Sequence, residues 1–183
     1  QNDVYRVDRL INDISAASRL DAELSRIEMK RINISNLLET LIDIRSSTIN
    51  CQIDFSKDHQ NIYILGNENR IAQVFDNLIQ NSVSFSKKNG IIRIHLQKIF
   101  GYIVVLVEDN GLGFSSGSLD KIFNRFYTER PKTEKFGNHS GLGLSISKQI
   151  VQAHGGTIEA YNRFNKKKCL GATVKVTFNE FKK

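Results

Sequence analysis

The sequence predicts an α+β fold: a two-layer α/β sandwich in which helices cover one face of a mixed β-sheet, preceded by a long amphipathic helix. Helical periodicity recurs in four segments of the chain, and runs rich in β-branched residues lie between them. Two of these runs, 91–99 and 102–107, are separated only by Phe100 and Gly101, which predicts an antiparallel hairpin. Helices that alternate with antiparallel strands are typical of this architecture.

The first 30 residues predict a single amphipathic helix. Its apolar side chains recur at steps of three and four, at Val4, Val7, Leu10, Ile11, Ile14, Ala17, Leu20, Leu24 and Ile27. A helix of about eight turns needs a surface on which to bury such a stripe, so we expect either a partner helix or a second copy of the chain. Because the sequence opens at Gln1, without a methionine and inside this helix, we expect it to be a piece of a longer protein.

Shorter elements alternate after this helix. An alternating segment at 31–34 leads into a helix that we expect Ser35 to cap, and further helices are expected from Asn67 to a break at 87–90 and over 142–154. The expected strands are 51–55, 63–65, 91–99, 102–107, 157–161 and 172–178, with a lysine turn at 166–168 between the last two. The segment 110–141 holds 5 of the 12 glycines and the only proline, which predicts a long irregular loop interrupted by a short amphipathic stretch at 119–126. Long loops inside compact domains are usually functional.

Composition and charge narrow the class of protein. The 183 residues are 40% hydrophobic and 25% charged, which excludes a disordered tail, a collagen and a disulfide scaffold. No apolar run approaches the roughly 20 residues that a membrane-spanning helix needs. Cys51 and Cys169 lie far apart without CxxC spacing, which argues against a zinc site. Because the net charge is −2 over 1–66 and +9 over 67–183, we expect an anionic partner: nucleic acid, acidic lipid or a phosphorylated small molecule.

Three polar segments could carry chemistry. Asn77 and Asn81 place two carboxamides on one side of the third helix, although such a pair is more often a solvated edge than a ligand. The segment 108–114 puts an acidic residue at the end of an apolar strand with two glycines after it, a pattern that a plain turn also shows. The segment 137–145 leads glycines directly into a helix, whose free N–H groups can bind an anion. A long loop precedes these glycines where a dinucleotide-binding fold needs a strand, and the Gly-Lys-Ser/Thr signature of the phosphate loop is absent.

In this order and spacing, the segments together resemble the ATP-binding domain of sensor histidine kinases. That domain shares its fold with type II topoisomerases, the heat-shock chaperone of the ninety-kilodalton class and mismatch-repair ATPases. The segments similar to the N, G1, F and G2 boxes of the family are, in chain order, 70–81, 109–113, 122–127 and 140–145, and 154–158 and 171–173 fit the strands that follow. The resemblance implies that 1–31 is part of the second helix of a dimerisation and phosphotransfer hairpin. It also implies that 32–183 is an ATP-binding catalytic domain with a lid at 114–140.

The resemblance implies that ATP and Mg²⁺ bind this domain. Asn81 is implied as the Mg²⁺ ligand, and Asn77 as a residue that helps to hold the metal or the phosphates. Asp109 is implied to accept the exocyclic amine of adenine, supported by Thr173 through its hydroxyl or a water. Phe85 occupies the position of the aromatic side chain that packs on adenine.

The same resemblance implies a set of backbone and phosphate contacts. The backbone would turn under the nucleotide at Gly111 and Gly113. Phosphate oxygens would meet the G2 box at Ser140, Gly141, Leu142 and Gly143. Arg125 and Arg130, in the lid, are added as ATP-binding candidates because they lie near this site in the sequence.

Three positions depart from the family pattern. The family often has basic residues at the positions of Ser84 and Thr128, so two cationic phosphate contacts are missing. Nearby cations that could substitute are Lys87, Lys88, Arg125 and Arg130. His139 replaces a usual glycine, and we expect it to be a surface residue.

The implied function is transfer of the γ-phosphate of ATP to a histidine, for relay to a response regulator, within a homodimer formed through the first helix. The acceptor histidine of the family is followed by an acidic residue and then a proline, and none of His59, His95, His139 and His154 has both. We therefore expect the acceptor to lie outside this sequence and the chain not to phosphorylate itself. The segment 126–131 is similar to acid-responsive, membrane-bound sensor kinases of alphaproteobacteria, which implies an intact protein at the inner membrane with this portion in the cytoplasm.

Two alternatives remain open at this point. An ATPase of the same fold is disfavoured by Asn77, because the ATPases carry there a glutamate that acts as a base and a carboxamide cannot accept a proton. A nucleotide-binding interaction module whose catalysis has decayed is motivated by Ser84 and Thr128. Nucleic-acid binding is not expected, because the sequence lacks a recognition helix and an interleaved aromatic stripe.

Overall fold

The computed structural model describes residues 15, 22–24, 26–86, 89–115, 117–127 and 141–182. Most of the predicted first helix therefore lies outside the described residues, although Ser15 and 22–24 are helical. Near the end of this segment, Leu24 packs against the hydrophobic core of the following domain, and Glu23 forms an ion pair with Arg70. The end of the first segment is thus in contact with the domain that follows it.

The described elements follow the predicted order. They are β1 (Lys30–Asn33), α1 (Ile34–Ser46), β2 (Gln52–Lys57), β3 (Tyr63–Gly66), α2 (Glu68–Phe85), β4 (Ile91–Ile99), β5 (Tyr102–Glu108), α3 (Gly143–Ala153), β6 (Thr157–Asn165) and β7 (Lys168–Asn179). The last two strands are longer than predicted, because their antiparallel pairing continues to the turn at Lys166 and Lys167.

Five strands form the predicted mixed sheet, in the order β2-β4-β5-β7-β6. β2 and β4 run parallel, which requires the crossover connection that contains α2, and the other neighbours are antiparallel. The predicted hairpin of β4 and β5 is confirmed. β1 and β3 pair with each other in a separate two-stranded sheet, which was not predicted.

One face of the five-stranded sheet carries the core. The strand register aligns one apolar side chain from each strand in a row across this face: Phe55, Ile94, Val107, Val174 and Ala160. These residues belong to the same cluster as apolar side chains of all three helices, among them Leu38, Val74, Phe75, Leu78 and Ile150. The two-layer arrangement predicted from the sequence is therefore confirmed.

Asparagine caps start the first two helices. The Asn33 side chain accepts a hydrogen bond from the N–H of Ser35, and Asn67 caps α2 in the same way. The prediction that Ser35 caps α1 is wrong, because the last residue of β1 already takes that role. Ser35 is fully buried one residue inside the helix, where its hydroxyl accepts a hydrogen bond from the N–H of Ile62 at 3.3 Å.

An ion pair fixes the rotation of α2 against α1. Arg45 binds Asp76 through two guanidinium nitrogens, one of them 2.6 Å from Oδ2 of the carboxylate. Gln80 donates to the same Oδ2, also at 2.6 Å. Because Asp76 directly precedes Asn77, the ion pair with Arg45 also orients the side of α2 that carries the predicted site. Among the described residues, no helix is both long enough and apolar enough to cross a lipid bilayer.

Candidate nucleotide-binding site

One side of α2 carries three of the predicted site residues. Asn77, Asn81 and Phe85 follow one another at intervals of four residues, so they line the same side of the helix over about 12 Å. All three are partly exposed, whereas the apolar residues on the opposite side of α2 are buried. Within the described part of the chain, the Asn81 carboxamide makes no hydrogen bond, so its oxygen is available to a ligand.

The first of these residues contacts the start of α3. Nδ2 of Asn77 donates to the carbonyl oxygen of Gly143 at 3.3 Å and to Oγ of Ser147 at 3.5 Å. The structure thus brings the N box and the G2 box together, although 66 residues separate Asn77 from Gly143 in the sequence.

The N-terminus of α3 is suited to an anion. Leu142 at the N-cap position is buried and makes no side-chain capping bond, and the first turn contains no acidic residue. Gly141, directly before it, has a φ of 73°, which glycine adopts without strain. The N–H groups of the first turn carry the partial positive charge of the helix end, and phosphates bind well there. Gly141, Leu142 and Gly143 therefore lie at a helix end where an anion could bind, and their contact with phosphate stays a prediction. Ser140 lies outside the described residues.

A buried carboxylate closes the end of β5. Oδ1 of Asp109 accepts hydrogen bonds from the N–H groups of Gly111 at 2.8 Å and Ala172 at 3.1 Å. In the described ranges no group donates to Oδ2 of Asp109. Burial raises the pKa of Asp109, and the bonds from Gly111 and Ala172 and the positive charge of Arg163 oppose that shift. Asp109 can therefore offer Oδ2 to a donor such as an exocyclic amine.

The two glycines of the G1 box allow close backbone contacts. A Cβ at Gly111 would overlap the carbonyl oxygen of Phe85, so this turn packs directly against the end of α2. Gly113 has a φ of 77°, and a Cβ there would lie 2.7 Å from Sγ of Cys169. Because the end of α2 at Phe85 meets Gly111 while Asn77 meets Gly143, one side of α2 connects the turn at 109–113 with the helix end that suits phosphates.

Thr173 contacts Glu108 and makes no direct hydrogen bond to Asp109 among the described residues. Thr173 pairs with Glu108 across β5 and β7, and its hydroxyl donates to Oε1 of Glu108 at 3.5 Å. Ala172, not Thr173, lies beside Asp109, whose side chain it contacts through its N–H group. Successive strand residues point to opposite faces, so the fully buried Thr173 hydroxyl lies on the side of Glu108. Support of Asp109 by Thr173, directly or through a water, stays a prediction.

The described part of the predicted lid packs on α3. In the segment 117–127, Ser118 and Ile122 are buried, and Nζ of Lys148 on α3 lies 5.6 Å from the centre of the Phe123 ring. Arg125 is exposed on this segment. The other predicted cations and the two remaining departures lie outside the described residues: Lys87, Lys88, Arg130, Thr128 and His139.

A partly buried histidine joins the end of α3 to the start of α2. Nδ1 of His154 lies 2.6 Å from the carbonyl oxygen of Ile150, and Nε2 accepts a hydrogen bond from the N–H of Asn67 at 3.0 Å. Since Nε2 accepts, Nδ1 carries the proton and the imidazole is neutral. Burial lowers the pKa of His154, and the bond to Ile150 opposes this shift only in part.

This histidine predicts a loss of stability in mild acid. The unfolded chain binds a proton at His154 near the ordinary pKa of about 6.5, whereas the folded chain does not. The contribution of His154 to the free energy of unfolding is therefore complete above that pH, and it is lost as the pH falls toward the lowered pKa of the folded state. The free energy of unfolding should fall there by up to about 1.4 kcal/mol per pH unit. Urea unfolding between pH 7.5 and 5 should show this slope weakened in His154→Asn and retained in His59→Asn, an exposed control. An unchanged slope in His154→Asn would contradict the assignment.

Four residues of this region were not predicted as parts of the site. Ser147 and His154 contact α2 from α3, and Asn162 and Arg163 contact the G1 turn from β6. The alternation of β6 indicates which residues share a face of the sheet. It does not indicate that β7 and β5 follow β6 in the sheet, and the contacts of Asn162 and Arg163 depend on that order.

Residues 66–181 match the family model described as histidine kinase-, DNA gyrase B-, and HSP90-like ATPase. The chain belongs to this family. It is 47% identical over 172 residues to the sensor protein ChvG of Rhizobium meliloti (strain 1021), a match that covers 88% of this chain and 30% of ChvG. It is 32% identical over 165 residues to the sensor histidine kinase WalK of Bacillus subtilis (strain 168), with 87% of this chain and 27% of WalK covered. The chain thus spans less than a third of these two relatives.

Solved structures agree with this assignment. The catalytic domain of the histidine kinase ThkA is similar with a TM-score of 0.72 at 26% identity, over 84% of this chain and 99% of that domain. The structure of ThkA in complex with the response regulator protein TrrA has the same fold, with a TM-score of 0.75 at 23% identity, over 98% of this chain and 49% of ThkA. The chain is therefore the ATP-binding catalytic portion of a sensor histidine kinase, and its resemblance to alphaproteobacterial sensor kinases is confirmed.

Proposed function

We propose that the whole protein transfers the γ-phosphoryl group of ATP to a histidine of a helical hairpin, from which a response regulator receives it. The observation that carries this proposal is the line of Asn77, Asn81 and Phe85 along α2, between the Asp109 carboxylate and the N-terminus of α3. The end of this line near Asp109 suits adenine, and the end near α3 suits the phosphates.

The adenine end of the site is formed by Asp109, Gly111 and Phe85. The Oδ2 atom of Asp109 accepts the 6-amino group, because Oδ1 is already held by two backbone N–H groups. The Phe85 ring packs on the base. Gly111 keeps the turn close to α2, where a side chain would collide with the Phe85 carbonyl.

The phosphate end of the site is formed by α3 and the middle of α2. The N–H groups at Gly141, Leu142 and Gly143 bind phosphate oxygens at the helix end. The described residues contain no cluster of His, Cys, Asp or Glu that could hold a metal ion, so the protein's share of the coordination falls to carboxamide oxygens at Asn81 and Asn77. This donor set fits Mg²⁺, which retains water and takes further oxygens from phosphates. When bound, the ion would neutralise phosphate charge during transfer.

Asn77 favours transfer to an imidazole over hydrolysis. Its Nδ2 donates to Gly143 and Ser147, so the side chain works as a hydrogen-bond donor toward α3. A carboxamide has no basic site to take a proton from water. An imidazole nitrogen is already nucleophilic, so a histidine acceptor needs positioning and charge neutralisation rather than a base.

The intact protein carries more than this chain. We propose that 1–31 belongs to the helical hairpin, that 32–183 forms the catalytic domain with its lid at 114–140, and that two copies pair through the hairpin. We further propose that the intact protein lies at the inner membrane with this portion in the cytoplasm. The match of this chain to less than a third of ChvG and of WalK supports an intact protein that is longer than this chain.

Phosphotransfer is tested by mixing the chain with ATP labelled at the γ-phosphate, with and without a helical hairpin that carries an acceptor histidine. We expect acid-labile label on the hairpin and none on the chain itself. Steady release of phosphate without the hairpin would favour an ATPase. Tight ATP binding with no transfer would favour an interaction module without catalysis.

Asn81 should determine how strongly Mg²⁺ supports ATP binding. Calorimetric titration with and without Mg²⁺ should show tighter binding by the unaltered chain when the ion is present. In Asn81→Ala this gain should fall at least about tenfold, the scale on which losing one partner weakens a metal site. Gln80→Ala is the matched control, because the neighbouring carboxamide binds Asp76 instead. An equal gain in Asn81→Ala and Gln80→Ala would argue against Asn81 as the ligand.

A further inference from the structure

A guanidinium on the edge strand β6 reaches the main chain of the adenine-binding turn. Arg163 lies opposite Gly171 of β7, and β7 separates β6 from β5. Its Nη2 donates to the carbonyl oxygen of Asp109, and its Nη1 lies 3.3 Å from Oε2 of Glu108. The side chains of Arg163 and Glu108 are only 21% and 15% exposed, so this pair is shielded from solvent.

The preceding residue of β6 holds the other end of the same turn. Oδ1 of Asn162 accepts a hydrogen bond from the N–H of Phe114 at 2.8 Å, and its Nδ2 donates to the carbonyl oxygen of Phe114 at 2.7 Å. Successive side chains of a strand point to opposite faces. Asn162 and Arg163 therefore hold the turn from 109 to 114 at both of its ends and from the two faces of the sheet.

We propose that Arg163 is a positioning residue for adenine recognition, which holds the main chain at Asp109 so that Oδ2 of that carboxylate faces the 6-amino group of the base. The proposal rests on the proposed role of Asp109 in binding adenine. Oδ1 is tied to the N–H groups of Gly111 and Ala172, so the direction of Oδ2 depends on the main chain of this turn. Rotation of the Asp109 peptide would swing Oδ2 away from the base. The bond from Arg163 opposes that rotation.

The charge of Arg163 acts in the same direction as its hydrogen bond. An ionised carboxylate accepts the amine, whereas a protonated one presents a donor to it. Burial and the negative charge of Glu108 raise the pKa of Asp109, and the positive charge of Arg163 lowers it. Arg163 thus favours the ionised form that adenine binding needs.

The test compares ATP with purine riboside triphosphate, which lacks the 6-amino group, by calorimetric titration of the full chain. The unaltered chain should prefer ATP by about 10- to 100-fold, the contribution of a hydrogen bond to a charged group. In Arg163→Met we expect this preference to fall about tenfold, with less than about a threefold change for the analogue, because only the amine contact depends on the direction of Oδ2. ATP binding should also begin to weaken at a higher pH, because the pKa of Asp109 rises.

Arg93→Met is the matched control. Arg93 lies opposite Glu108 on β4, the other strand that neighbours β5. The substitution Arg93→Met therefore removes a positive charge beside Glu108, as Arg163→Met does, but leaves the bond to Asp109 intact. It should leave the preference for ATP unchanged. If Arg163→Met does not fold, Arg163→Lys makes the same comparison, because a lysine keeps the charge but cannot span both partners.

An equal loss of ATP and analogue binding in the Arg163 variants would overturn the positioning role and show a merely structural one. An unchanged preference would also overturn it. If the unaltered chain itself shows no preference for ATP, the proposed contact of Asp109 with adenine fails, and this proposal fails with it. The ratio measured on the unaltered chain therefore separates the two failures.

Discussion

Replacing Asp109 with asparagine is expected to weaken ATP binding strongly while the fold remains intact. The amide oxygen of an asparagine can still accept the hydrogen bonds from Gly111 and Ala172 that now hold Oδ1. An amide nitrogen then takes the place of Oδ2, so a donor faces the 6-amino group of adenine where an acceptor is needed. Losing a hydrogen bond to a charged acceptor and gaining this repulsion should weaken ATP binding by about 100-fold or more.

The same substitution should raise stability at neutral pH. Because burial raises the pKa of Asp109, the ionised carboxylate lowers the stability of the folded state at neutral pH. This loss of stability disappears as the pH falls below the raised pKa of the folded state toward the ordinary pKa of an aspartate. Urea unfolding of Asp109→Asn should therefore show an advantage at pH 7 that disappears in acid. Asp54→Asn, an exposed change of the same kind on β2, should alter neither ATP binding nor the pH dependence. Loss of the fold in Asp109→Asn, or ATP binding within about tenfold of the original, would count against this account.

The elements could be predicted because burial leaves a period in the sequence. β4 alternates buried and partly exposed residues, and α2 buries Ile71, Val74, Phe75, Leu78 and Ile79 on one side, so their patterns identify a strand and a helix. The same pattern places Asn77, Asn81 and Phe85 together on the remaining side of α2. Which residues share one side of a single helix or strand depends only on their spacing, so it can be predicted from the sequence.

Contacts between strands could not be predicted in this way. Whether Ala172 or Thr173 lies beside Asp109 depends on the register of β7 against β5, and a shift of one residue exchanges the two faces. The contacts of Arg163 and His154 depend in addition on which strands and helix ends become neighbours. The asparagine that caps α1 was missed for a related reason, because β1 runs directly into the helix without a loop to mark the boundary.

Gly171→Ala is expected to be among the most destabilising single substitutions in the chain. Gly171 has a φ of 134°, a conformation that side chains rarely adopt. A Cβ at this position would also overlap the carbonyl oxygen of Asp109, which is the atom that Arg163 holds. Since the overlap is with backbone, it can be relieved only by moving β7 away from β5. We expect a loss of about 3 kcal/mol or more in the free energy of unfolding.

Gly117→Ala separates the two causes of this loss. Gly117 also has a positive φ, of 90°, but no atom of the described residues lies within 4 Å of a Cβ placed there, so its substitution adds backbone strain without overlap with them. Its cost should be about 1 kcal/mol. Urea unfolding of the two variants should therefore differ by about 2 kcal/mol or more, and the excess belongs to the contact with Asp109. The same contact predicts that any folded Gly171→Ala binds ATP more weakly than Gly117→Ala, because relief of the overlap displaces the carboxylate. Equal free energies of unfolding for the two variants would show that β7 can move at Gly171 without loss of stability. The close contact between Gly171 and Asp109 would then not hold the turn at 109–113 in place.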